Sequence, residues 1–254
     1  MTISGKAWDR YIAALRRISE QAADLITQYI ASHDVSTYQG RQALISCAYA
    51  VATQFGEAAG ALACEMYDAL AELSGVILPP AAPAPPATIE ETARAVVGTI
   101  IQDPSGAITA DAVGRLARLA GIDSTMYNAI RDGAWWAWIP RGDTCAFCIT
   151  LASNGWQKAS RAALKGGHAE HVHANCDCAY AIKFDPFSEV EGYDPQQYYD
   201  MYASSPGRSS QQKINALRRK FYAENSEEIN AQKRSNYEKR RERESSAAEE
   251  TDVR

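Results

Sequence analysis

Residues 4–32 read SGKAWDRYIAALRRISEQAADLITQYIAS. Within them Trp8, Tyr11, Leu15, Ile18, Ala22, Leu25 and Tyr29 step by alternating threes and fours. This spacing predicts one long amphipathic helix with a heptad seam over three repeats. His33-Asp34 and Ser36-Thr37 break the pattern, and Gly40 completes a turn. A second seam runs from about Arg41 to Leu73, with Leu44, Ala48, Val51, Phe55, Ala58, Leu62, Met66, Leu70 and Leu73 on one face. Two long helices with a short connection predict an antiparallel hairpin over residues 1–78. Its many alanines let helices approach closely. The seam can serve internal packing or another protein, and periodicity does not choose between them.

Past Gly75 the texture changes. Residues 79–86 read PPAAPAPP, with five prolines in eight. Such a run cannot continue a helix and favours an extended, semi-stiff spacer, so 79–87 is the expected linker. Thr88 with Glu91 fits a capping box, and Ile89, Ala93, Val96, Val97 and Ile100 supply the apolar stripe of a third helix. Asp103-Pro104-Ser105-Gly106 is a turn. A helix is predicted from roughly Ala110 to Ala120, stopped by Gly121, and a shorter one after Asp123-Ser124 and before Gly133. Trp135-Trp136-Ala137-Trp138-Ile139 reads as a short strand, Thr144 to Ser153 as a short helix, and Cys178 to Phe184 as a second strand. The middle is thus a small α+β module within a mainly α chain. From Gln211 to about Arg243 a charged helix is predicted, with a disordered end.

Charge is unevenly spread over the 254 residues, whose formal net charge is −5. Residues 207–254 hold 12 Lys/Arg and 9 Asp/Glu, while the first 206 hold 14 basic and 22 acidic groups. A basic end on an acidic body can mark a nucleic-acid contact; the plainer reading is a solvated charged helix. No secretion signal and no run of 18 apolar residues is present, so the reading is of a chain with no membrane partner.

Four of the six cysteines cluster. Cys145-Ala146-Phe147-Cys148 is followed, after 27 intervening residues, by Cys176-Asp177-Cys178, with His171 and His173 just before. Zinc takes four tetrahedral nitrogen or sulfur ligands, and close ligand pairs build each half of the cage. The candidate ligands are Cys145, Cys148, Cys176, His173 and Cys178, then His171. Four protein ligands make a structural site, with no position left for an activated water. Cys47 and Cys64 stand alone in the second helix and read as core residues. His168-Ala169-Glu170 is an H-x-E, but the cysteines downstream are C-x-C with no preceding proline, which argues against a zinc deaminase. An enzyme using the Cys/His cluster, as metallohydrolase or cysteine nucleophile, is the alternative. So is a zinc knuckle that binds nucleic acid, though the charge around the cluster is near balance.

The stretches WIPRGDTCAFC (138–148), LASNG (151–155) and HANCDC (173–178) are similar to the core of MuF-like phage head morphogenesis proteins. They look closest to the branch found in phages and prophages of actinobacteria, as does Gly192-Tyr193-Asp194-Pro195. Asn154 departs from the arginine common at that turn. The likeness covers about Ala134 to Tyr202. It implies a central MuF-like domain at 88–206 and a charged helix and tail at 207–254. It also implies a minor head protein that acts in capsid assembly and contacts portal and capsid proteins inside the virion. The basic end could then touch packaged DNA.

Overall fold

The computed structural model describes residues 2–140, 145–160, 179–227, 230 and 231. Among them, seven helices dominate beside a small antiparallel sheet. Helix α1 spans Gly5–Ser32 and α2 spans Tyr38–Leu73. Thr37 caps α2 by accepting from the Gly40 amide. The first turns of α1 pack with the last of α2: Trp8 and Tyr11 share a core with Tyr67 and Leu70. The far end of α1, at Ala22 and Ile26, packs with Leu44, Ile45 and Ala48. The pair is therefore antiparallel, as the two seams predict.

Helix α3 spans Ile89–Ile100 and opens with the predicted capping box. Thr88 accepts from the Glu91 amide, and the Glu91 carboxylate accepts from the Thr88 amide at 2.8 Å. Helix α4 spans Ala107–Asp132 without interruption. This corrects the two shorter helices expected from sequence. Gly121 does not stop the helix; it lets α4 touch α2. A Cβ built there would lie 2.9 Å from the Ala59 carbonyl oxygen and 3.0 Å from Leu15 Cδ2. At Gly114 the same atom would meet the Ser19 carbonyl oxygen at 2.5 Å. Close packing onto both partners outweighs the cost of glycine, about 1 kcal/mol per residue.

The proline-rich segment is extended, and it lies along α2 and α4 rather than standing clear of them. Proline brings no N–H. The alanines between the prolines do, and each finds a side-chain acceptor. Ala81 donates to Asp68 Oδ1 at 2.9 Å, Ala82 to Asn128 Oδ1 at 3.0 Å, and Ala84 to Ser124 Oγ at 2.8 Å. Asn128 Nδ2 returns a bond to the Ala82 carbonyl, and Arg131 donates to the carbonyls of Pro79 and Pro80. Pro83 and Pro86 rest over Gly60 and Gly56. Hydrophobic contacts consequently run unbroken from the N-terminal helices to the sheet.

Gly133, in the left-handed region at φ 62°, caps α4 and turns the chain into the sheet. Strand β1 is Thr2–Ile3, β2 is Trp135–Ile139, β3 is Gln157–Lys158, β4 is Ala179–Lys183 and β5 is Glu189–Val190. Strands β3, β2 and β4 lie side by side, antiparallel, with Ile139 opposite Ala179 and Trp135 opposite Lys183. A short parallel pairing of β1 with β5 ties the N-terminus to the segment after β4. Helix α5 spans Ala146–Ala152, α6 spans Pro195–Ala203 and α7 spans Ser210–Glu224. Helix α6 packs a half-buried stripe, Tyr198, Met201 and Tyr202, against the cluster shared by α5 and α7. The charged helix starts near its expected position; α7 ends at a turn at Asn225, residues 226–227 and 230–231 are again helical, and the rest of the span expected to reach Arg243 lies outside the described residues. No helix among the described residues is long and apolar enough to cross a membrane.

Gly114 and Gly98 give opposite expectations. Gly114→Ala forces a methyl against a backbone oxygen and should destabilise by about 1–3 kcal/mol. Gly98 lies in α3 with nothing within 4 Å of a built Cβ. Gly98→Ala should gain up to about 1 kcal/mol. Denaturant midpoints of the two variants measure this, and shifts of the same sign would sink the close-contact account.

Candidate metal centre

The thiol pair is built by α5. Cys145 is the N-cap residue, with extended backbone, and its sulfur accepts from the Cys148 amide at 3.5 Å. Cys148 lies in the first turn and is buried, while Cys145 is half-buried. The C-x2-C spacing therefore puts both sulfurs on one side of one helical turn. Their Sγ atoms stand 3.6 Å apart. A disulfide would need about 2.05 Å. Two thiolates on one tetrahedral zinc, each at about 2.3 Å, stand roughly 3.8 Å apart. The pair has the span of a shared metal edge, and soft sulfur donors suit zinc.

His173, Cys176 and Cys178 lie outside the described residues, as does His171. Among the described residues no group of three or more His, Cys, Asp or Glu could hold a metal. Two of the five predicted ligands are thus brought together. Cys47 and Cys64 sit in α2, half-buried and buried, with thiols pushed up by burial. They match the core role expected of them.

Helix α5 has only seven residues, too few to stand alone. Its end is held by Tyr193, whose hydroxyl donates to the Ala152 carbonyl at 3.0 Å. This explains the Gly192-Tyr193-Asp194-Pro195 stretch. Gly192 takes φ 79°, Tyr193 clamps α5, Asp194 caps α6 by accepting from Gln196, and Pro195 fills the first helical position. Sequence reading noted the stretch by likeness only; the cap-then-proline signal within it announces a helix. The opposite face of α5, Ala146 and Ile149, packs against Ile214 and Leu217 of α7.

The sheet next to the pair is aromatic. Tyr180 sits edge-on to both Trp136 and Trp138, with ring centroids 4.9 Å away in each case. At its far end Lys183 is buried. Its Nζ donates to the carbonyls of Ser188 at 2.8 Å and Pro186 at 3.0 Å, and it lies 4.5 Å from the Trp156 ring centroid. Burial pushes this ammonium down. The lysine closes a turn that Asp185 also holds, accepting from the Phe187 and Ser188 amides. Both groups are engaged in structure.

A model of the VG15 protein family matches residues 2–205. The chain belongs to the VG15 family, a phage-associated viral family. The match spans the helical layer, the proline segment, the sheet, α5 and α6. Membership suggests a structural protein. No curated protein and no solved structure matches the chain.

One carboxylate offers a pH test of this VG15 fold. Burial, and then the charge of Glu91, push Asp123 of α4 up to about 6 from an ordinary 3.8. The folded state holds that proton more tightly than the unfolded one, so stability falls as pH rises from about 4 to about 6. Asp123→Asn should stabilise the chain at pH 7 by about 1–3 kcal/mol, with the gain vanishing below pH 4. Urea titrations at pH 3.5 and pH 7 would show it; an equal effect at both refutes the account.

Proposed function

We propose that the chain is a minor head protein of the MuF-like type, from the branch found in phages and prophages of actinobacteria. It acts in capsid assembly at or near the portal. A structural zinc ion braces its central module. The observation that carries this reading is the Cys145–Cys148 pair, held at 3.6 Å on α5 within a chain of a phage-associated family.

The zinc part rests on donor chemistry and connectivity. Cys145 and Cys148 would supply two thiolates, and two of His173, Cys176 and Cys178 the rest. Ala179, the residue after Cys178, is the Cα partner of Ile139. Consecutive Cα atoms are about 3.8 Å apart. Strand β4, which follows the second ligand group in sequence, therefore begins at the sheet end from which the chain leaves for α5, and this supports the reading. Bound there, zinc would cross-link two segments far apart in sequence and contribute folding free energy. Four protein ligands fit a bracing role and not a catalytic one.

Purified protein should carry about one zinc per chain by elemental analysis. Cys145→Ser and Cys148→Ser should each lose it and lower the melting temperature. Cys64→Ser, in α2, should keep it. Metal-free wild-type protein would remove the zinc while leaving the family assignment untouched.

The head role is tested in particles. The chain should co-purify with filled heads, and deleting its gene should lower the yield of DNA-containing heads. Removal of residues 207–254 should leave head association intact but abolish a salt-sensitive retention of DNA. Absence from purified heads would overturn the reading.

A further inference from the structure

The first half of α1 and the last half of α2 leave between them an open groove of about 670 Å³ that no residue of α4 lines. Its surface is almost wholly apolar. Ala7 and Ala14 of α1 and Ala69 of α2 keep it shallow enough for a helix to approach closely, while Leu62, Met66 and Leu73 form its ridge. Leu73 is 70% exposed, unusual for a leucine on a helix of this core. Among the described residues, the groove is the open side of a bundle whose further helices lie on its other side.

The two edges of the groove carry opposite charge. On α1, Lys6, Arg10 and Arg17 fall on one exposed edge, at helical spacings of four and seven. On α2, Glu65 and Glu72 fall on the corresponding edge, also seven apart. Arg10 and Glu65 both line the groove. None of these five has an ion-pair partner among the described residues. The antiparallel packing of Trp8 and Tyr11 with Tyr67 and Leu70 sets Lys6 level with Glu72, and Arg10 about three residues, roughly 4.5 Å of helix rise, from the level of Glu65.

We propose that this groove receives the same face of a second copy of the chain, so that two helix pairs close into a four-helix bundle. Charge selects the arrangement. A two-fold axis parallel to the helices lays α1 over the α2 of the other copy at the same level. Lys6 then faces the partner's Glu72, and Arg10 lies just under one helical turn from the partner's Glu65, within reach of two long side chains. An axis across the helices would instead lay α1 on α1 and α2 on α2, setting like charges opposite. The first is self-complementary and is an isologous contact that closes on itself. The dimer needs neither the zinc nor the head role.

Charge-swap variants test it without touching the core, because both residues are exposed. Light scattering coupled to size exclusion, over a concentration series, should give twice the chain mass for the wild-type protein. Arg10→Glu alone and Glu65→Arg alone each place like charges together and should weaken association at least about tenfold. The double variant R10E/E65R should restore the dimer. A wild-type chain that stays monomeric at every concentration overturns the proposal, as do single variants that dimerise like wild type. Failure of the double variant to recover overturns the proposed axis.

Discussion

The contact of α4 with α1 and α2 at side-chain-free points is the constraint from which the rest follows. At Gly114 and Gly121 the α4 backbone approaches carbonyl oxygens of both partners more closely than any Cβ allows. Interiors packed at crystal-like density transmit such a constraint rigidly. The end of α4 is only two residues from β2, so fixing α4 fixes the sheet. The sheet packs back onto the helices through Tyr67 and Phe184, edge to face at 5.3 Å. The thiol pair lies at the end of that chain of positions.

The proline segment shows a second consequence. Eight residues poor in donors are held by the side chains of Asp68, Ser124, Asn128 and Arg131. Ser124 and Asn128 are fully buried, and both also bond within their own helix, to the carbonyls of Ala120 and Ser124. Buried polar groups are tolerable when every partner is present. Here the segment and the two side chains satisfy one another, so extended backbone and helix are each incomplete alone. Arg131 adds a charged clamp. Burial works against ionising Asp132, but its hydrogen bonds from Arg131 and Tyr67 prevail and hold its carboxyl below the usual range.

What the sequence disclosed was local. Period gave α1, α2 and α3; residue type gave β2 and β4; Thr88 with Glu91 gave a true capping box. Gly121 and Asp123-Ser124 misled, because a glycine that ends a helix and one that admits a neighbouring helix look alike until the neighbour is known. Helix α6 escaped because it is short and only half-buried; Asp194-Pro195 and the helical spacing of Tyr198, Met201 and Tyr202 were its traces. The extended form of 79–86 was legible, but its side-chain partners sit up to 52 residues away and no local pattern announces them. At the site, Cys145 and Cys148 were legible from spacing alone. Tyr193 was not, because a tyrosine's acceptor cannot be read from a line of text.

Helix α5 is where these strands of argument meet. With seven residues it cannot nucleate and persist by hydrogen bonding alone. It draws its order from both sides: Tyr193 on its last carbonyls, the sheet beneath, and Ile214 and Leu217 of α7 on its outer face. Its first turn, which holds the two sulfurs, is packed as well, through Ala146 against Ile214 and Leu217. A cross-link at that turn would add to this restraint and pass it through Ala146 and Ile149 to α7. Whatever binds those thiols acts on both ends of the module at once.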